Sequence, residues 1–392
     1  MRQFGEERLD ETAQAGELRD RHLRYFLGVA HDARRHYEGR AHAAGAATFR
    51  CEWANIRAAV QWAITQEDQA TATGLLDAVY LFAYLEERYE LGDWASQALT
   101  ARLATPTMYG IAAAFAAVRG DYDHALNLTE TGFTTAKSPT EPDTWECWAA
   151  AMGAHWYLGR KEQAWAASKA VLQTIDPARY PFRASVMAAF SAVMAATGAD
   201  PDSAEELLAH AQRLAAPLDN PALDAVVAYA TGGVTRSAGH YESAGDHYVR
   251  ALALAERSGN LLMQGILPMS QAFLAVMTDA HDAERSLLNA VRRLYELRDW
   301  QDTWPSVEAL ALYWMRIGHL EDATVLLGHL EAHGIGHAMF IEQRRQTQEA
   351  VADTPDTHRW MSRGARLDRD ELIQSVLATH GSRPNHQDNN GS

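Results

Sequence analysis

Trp53, Ile56, Val60 and Ile64 stand at i, i+3, i+7 and i+11, a spacing that lines them along one side of a helix over residues 49 to about 64. The same reading of residues 1 to about 40 gives a helical pattern, interrupted between residues 39 and 45, in which Leu18, Leu23, Tyr25, Phe26, Val29 and Ala30 share a side. Residues 68 to 104 read as a helical hairpin. It carries the apolar cluster Leu75, Leu76, Val79, Leu81 and Phe82, with its corner expected at Gly92-Asp93. Near the C-terminus, residues 359 to 378 place Leu367, Leu372, Ile373, Val376 and Leu377 in a short closing helical unit.

Between these ends one pattern recurs: a turn residue, a few polar residues, then an alanine that opens a new apolar run. It reads Gly120-Asp-Tyr-Asp-His-Ala125, Gly159-Arg-Lys-Glu-Gln-Ala164, Gly198 to Ala204 with one residue more, and Gly239-His-Tyr-Glu-Ser-Ala244. A degenerate copy starts at Thr278 and ends at Ala283, and the last runs from Gly318 to Ala323. Successive copies lie 39 to 41 residues apart. A fixed period of that size signals stacked helical hairpins, each burying its apolar face against its neighbours. The glycine is expected in the left-handed conformation that ends one helix, and the alanine where two helices approach too closely for a larger side chain. Pro106, Pro139, Pro142, Pro177, Pro181, Pro217, Pro221 and Pro305 are expected at the joints, because proline is tolerated in a first helical turn and excluded from an interior.

The expected fold is therefore all-α, a right-handed superhelix of hairpins similar to tetratricopeptide repeats with a period of about 40 residues. Residues 1–104 would form a helical region that precedes and caps the repeats, 105–336 the array, 337–380 a closing helical segment, and 381–392 a polar, disordered tail. An apolar share of 47%, carried largely by alanine and leucine, is ample for a continuous core and favours helix.

The net charge of −16 opposes contact with nucleic-acid phosphates or anionic lipid. The arginines between Arg19 and Arg40 are interleaved with Glu17, Asp20, Asp32 and Glu38, which reads as a solvated helix face. Cys51 and Cys147 form no close-spaced pair, so no disulfide framework or zinc site is expected. The start is charged, and no apolar run approaches the roughly 20 residues needed to span a bilayer, so a cytoplasmic location is expected.

His329, His333 and His337 are spaced at i, i+4 and i+8, but Gly334 and Gly336 interrupt the helix between them, and a loop or surface role outweighs metal binding. Trp145 and Trp148 are expected in the core. Trp156 falls where first helices of such repeats face a groove; the equivalent positions are Glu146, Tyr229, Arg236, Glu308 and Met315, among small residues. A few aromatic and charged anchors among small residues suit an extended peptide or a modest ligand, while the same small residues could simply permit tight winding. Adjacent carboxylates such as Glu205-Glu206 diverge by about 100° on a helix, and no nucleophile elbow or phosphate loop is present. No enzyme activity and no cofactor are expected.

Trp148, eleven residues before Gly159, and Tyr248, nine after Gly239, add to a resemblance to tetratricopeptide repeats, whose usual period of about 34 residues is shorter. The longer hairpins resemble the C-terminal repeats of bacterial signal-transduction ATPase regulators of the maltose-regulator and LuxR types. Arg2-Gln-Phe-Gly-Glu-Glu-Arg-Leu9 with Arg19-Asp-Arg-His-Leu-Arg-Tyr-Phe26 resembles the junction after the winged-helix module of actinobacterial, often adenylate cyclase-linked, members. Glu52-Trp-Ala-Asn-Ile-Arg-Ala-Ala-Val-Gln-Trp62 resembles their next helix. The resemblance implies a sensor arm, without its ATPase and output domains, that binds a protein partner or an inducer. The alternative is a stand-alone small-molecule receptor with its pocket inside the superhelix.

Overall fold

The computed structural model describes residues 15–351 and 356–380, so the Arg2 to Leu9 motif and the tail 381–392 lie outside the described residues. The described residues are all-α, without strands. In chain order the helices are α1 (Ala15–Tyr37), α2 (His42–Thr65), α3 (Gln69–Leu85), α4 (Glu90–Thr100), α5 (Pro106–Val118), α6 (Tyr122–Thr135), α7 (Trp145–Tyr157) and α8 (Lys161–Thr174). They continue as α9 (Pro181–Met194), α10 (Ala204–Ala215), α11 (Pro221–Ser237), α12 (Tyr241–Ser258), α13 (Leu261–Met277), α14 (Ala283–Leu297), α15 (Trp300–Arg316) and α16 (Leu320–Ala332). The last three are α17 (Ile341–Val351), α18 (Thr357–Arg366) and α19 (Arg369–His380).

The repeat register read from the glycines is present in the backbone. Gly120, Gly159, Gly198, Gly239 and Gly318 all have φ between 72° and 103°, and in the degenerate copy the left-handed residue is Asp279, one place after Thr278. Ala125, Ala164, Ala204, Ala244, Ala283 and Ala323 are all buried. Pro106, Pro181 and Pro221 open α5, α9 and α11, where the missing N–H costs nothing. Pro305 departs from the expectation: it lies inside α15, as Pro268 does inside α13.

Two other corners differ from the sequence reading. Gly92 sits in α4, and the corner before it falls at Glu86 to Tyr89 with Glu87 left-handed at φ 53°. Gly92 instead occupies the small-residue position, since a Cβ there would lie 2.5 Å from Phe115 Cβ. Gly45 belongs to α2, which begins at His42, and a Cβ on it would collide with the backbone of Tyr37 and Ala33. In α1 the buried side is Leu23, Phe26, Ala30, Ala33 and Tyr37, while Leu18 and Tyr25 face outward.

The chain divides into two compact units. The first holds the described residues up to Ala117, Asp121–Ala154 and Glu162–Gln264; the second holds Val118–Gly120, His155–Lys161 and the described residues from Gly265 onward. In unit 1 the pairs α1 with α2, α9 with α10, and α11 with α12 pack face to face. Rings of Tyr37, Phe49, Phe82, Trp53 and Trp94 fill the core of its first helices, with Phe49 and Phe82 centroids 4.7 Å apart. The fully buried Asn220 bridges two helix ends. Its Nδ2 donates to Tyr37 O (2.7 Å) and Gly39 O (3.0 Å), and its Oδ1 accepts from the N–H groups of Ala222 and Leu223 at the start of α11.

In unit 2, α15 packs on α14 and α16, and α16 on α18. Gly328 of α16 faces Met361, whose Cα would lie 2.7 Å from an added Cβ, and Gly364 of α18 faces the Val325 carbonyl even more closely. Two backbones touch there because neither helix carries a side chain at the crossing.

Candidate functional site

In unit 1 the end of α1, α3, α7 and α9 converge on a cluster of charges. Arg183, 3% exposed, enters from α9 and is that helix's only charged residue. Its Nη1 donates to Asp77 Oδ1 at 2.7 Å, and its Nε lies 3.4 Å from Glu38 Oε1. Arg34 Nη1 donates to the other Asp77 oxygen at 2.6 Å. The Arg183 guanidinium also stacks 5.0 Å from the centroids of both Trp145 and Tyr180.

Glu146, in the first turn of α7, is 1% exposed, and its Oε2 has no hydrogen-bond partner. Burial and then the charge of Asp77 hold its carboxyl well above the usual carboxylate range, although Arg183 pulls it down. Asp77 moves the other way: burial raises it, but two arginines bond it directly and outweigh that, leaving it below the ordinary value. Glu38, with a single longer contact to Arg183, stays raised by burial.

Unit 2 has its own gathering around His337. Trp156 and Tyr157 meet the imidazole edge-on, at 5.4 and 5.2 Å, and Phe340 lies 5.8 Å away. The His337 backbone N–H donates to Glu308 Oε2 at 2.8 Å, and Arg344 Nε donates to Glu308 Oε1 at 2.8 Å. Arg344 Nη2 makes a second, very short bond to the same oxygen, and Nη1 caps the Ile335 carbonyl. Beside this, Tyr157 donates its hydroxyl to Asp302 Oδ1 at 2.7 Å, and Asp299 Oδ1 accepts the Asp302 N–H. Burial pushes the Asp302 carboxyl up to about 6, against the pull of its Tyr157 and Asp299 hydrogen bonds.

The six residues singled out in the sequence therefore fall into separate groups. Trp156 and Glu308 are both buried and meet at His337, and Met315 is half-buried further along α15. Glu146 belongs to the Arg183 cluster. Tyr229 and Arg236 share α11, with Tyr229 half-buried near the rings of Phe190 and Tyr248 (6.1 and 6.3 Å) and Arg236 buried. Trp145 is buried as expected, whereas Trp148 is only partly covered, tilted against Phe133 with centroids 4.3 Å apart and Nε1 bonded to Pro139 O. Of the histidine trio, His329 and His333 stack at 4.2 Å, while His337 lies on the loop after α16.

The sequence reading put Glu38 on a solvated face and gave His337 a loop or surface role, whereas Glu38 lies against Arg183 and His337 is buried among aromatic rings; Asp77, Arg183, Tyr157, Asp302 and Arg344 it missed. One signal could have found Arg183, a lone charge inside the apolar run from 181 to 199. Contrary to the expectation that no apolar run is long enough, Pro181–Ala199 passes the length and composition test for crossing a membrane, but 72% of its most apolar window is buried inside the fold.

No family model and no curated protein matches the chain. Among solved structures it is similar to a Rap protein complexed with competence and sporulation factor, with a TM-score of 0.55 and 14% identity over 93% of this chain and 99% of that one. At that identity the match speaks for a shared helical-repeat fold.

Proposed function

We infer that the chain is a non-catalytic helical-repeat interaction module that binds a protein partner or an inducer, as part of or derived from a bacterial transcriptional or cyclase-linked regulator. The observation that supports this most is the shared fold with a Rap protein captured in complex with another factor. Within unit 1 the contact residues are Glu146, Tyr229 and Arg236; within unit 2 they are Trp156, Glu308 and Met315. The net charge of −16 disfavours nucleic acid and anionic membrane as partners and is consistent with a cytoplasmic role.

A second reading, a stand-alone small-molecule receptor, is favoured by the aromatic rings of Trp156, Tyr157 and Phe340 around His337. Titration of the purified full chain with peptides and small effectors, followed by tryptophan fluorescence and melting temperature, tests both readings. Saturable binding without turnover is expected, weakened roughly tenfold by Trp156→Ala. Hydrolytic turnover by the pure chain would defeat the module reading.

A further inference from the structure

We propose that the Glu146 carboxyl in unit 1 is the anchor for a guanidinium or ammonium group brought by the ligand. This rests on the interaction-module reading and names the chemistry of one of its contacts. The argument begins with a charge count. Glu38, Asp77 and Glu146 meet two guanidiniums, Arg34 and Arg183. Asp77 takes both arginines and Glu38 takes the remaining edge of Arg183, so both cations are spent. Glu146 Oε2 is left as a buried acceptor with no donor, which costs free energy unless a further donor arrives.

The other ionisable groups that face Glu146 do not supply one. Asp143 is a second acid, the Cys147 thiol donates to the Pro106 carbonyl, and no hydrogen bond reaches Oε2 from the Tyr80 phenol. The surroundings suit a cation. The Trp145 and Tyr80 rings lie 5.5 Å apart, and Trp145 already accepts the Arg183 guanidinium on its face. Glu146 also sits in the first turn of α7, where the helix field favours a negative charge once a counter-ion is present.

Burial and the nearby Asp77 charge favour the protonated form of Glu146, and an arriving cation takes that proton's place. Binding then releases a proton to solvent and needs the cluster to open, because the carboxyl is shielded from water.

The cation can come from a free amine or from a basic peptide side chain, and the experiment separates the two. Agmatine is one probe, and an acetylated, amidated Ala-Ala-Arg-Ala peptide is the other, with its citrulline counterpart as control. Each is titrated calorimetrically into the full chain and into Glu146→Gln, a neutral isostere expected to keep the parent's melting temperature. Repeating the titrations in buffers of different ionisation enthalpy counts protons.

Binding of agmatine alone identifies a free amine as the source; binding of the arginine peptide alone identifies a peptide. In either case affinity should fall roughly tenfold or more in Glu146→Gln, with close to one proton released by the parent. Three results overturn the proposal: no binding of either probe, equal binding of the citrulline peptide, or equal binding by Glu146→Gln. If another ligand is found that Glu146→Gln holds as tightly as the parent, the cation anchor fails and the interaction-module reading stands.

Discussion

Replacing Asp302 by Asn should stabilise the protein at neutral pH and not at acid pH. The buried carboxyl accepts the Tyr157 hydroxyl and shares a hydrogen bond with Asp299, and its folded value of about 6 lies above the ordinary 3.8. A carboxyl raised on folding contributes stability that is fully present below the unfolded value and lost as pH climbs through the folded one. The difference, about 2.2 units at about 1.4 kcal/mol each, makes the charged form cost on the order of 3 kcal/mol above pH 7, and about half of that at pH 5. An asparagine keeps an oxygen for Tyr157 and offers an amide hydrogen to Asp299, so it removes the charge without removing the network. Urea unfolding of the full chain, followed by tryptophan fluorescence, should show Asp302→Asn more stable than the parent by up to about 3 kcal/mol at pH 7.5. The gain should shrink as pH falls toward 4. An equal or lower midpoint at pH 7.5, or a gain that does not change with pH, would refute the assignment of Asp302 as a carboxyl raised by burial.

Two further predictions concern the frame of the fold. Asn220→Ala removes the partners of two carbonyls at the end of α1 and two N–H groups at the start of α11, and should cost on the order of 3 kcal/mol by chemical denaturation. A loss below about 0.5 kcal/mol would mean that water replaces the bridge. Gly239→Ala and Gly159→Ala separate backbone strain from crowding. Both glycines are left-handed, but nothing lies near a Cβ on Gly239, whereas one on Gly159 would sit 2.9 Å from the Gly336 carbonyl. Gly239→Ala should cost about 1 kcal/mol and Gly159→Ala clearly more, and equal losses would show that the second contact yields.

The repeat corners were legible because glycine and alanine are selected there by sterics alone, and sterics leave a mark in a single sequence. Where a side chain occupies the left-handed corner, as at Glu67, Glu87 and Arg102, that mark disappears. Gly92 then reads as a corner although it serves as the small residue of the next contact. Pro305 was misplaced for a related reason: proline is excluded from an interior only where its missing N–H and its ring cannot be accommodated, and α15 accommodates both. The charged cluster was illegible because its bonds join residues 43, 106 and 145 positions apart, and helical periodicity carries no information at that range. Repeat register points to Glu146, while its missing partner is a property of three-dimensional packing.

The crossing of Gly328 and Gly364 bears on how the chain can be divided. Repeat arrays commonly tolerate the loss of a terminal unit, because each unit rests on its neighbour through side chains that can be repacked or made polar. Here α18 rests on α16 by backbone against backbone, so no substitution on α16 can stand in for it, and the glycine gap would remain as an open seam. A gene shortened before Thr357 would leave that seam uncovered, which makes α18 a poor place to trim the chain or to swap a repeat.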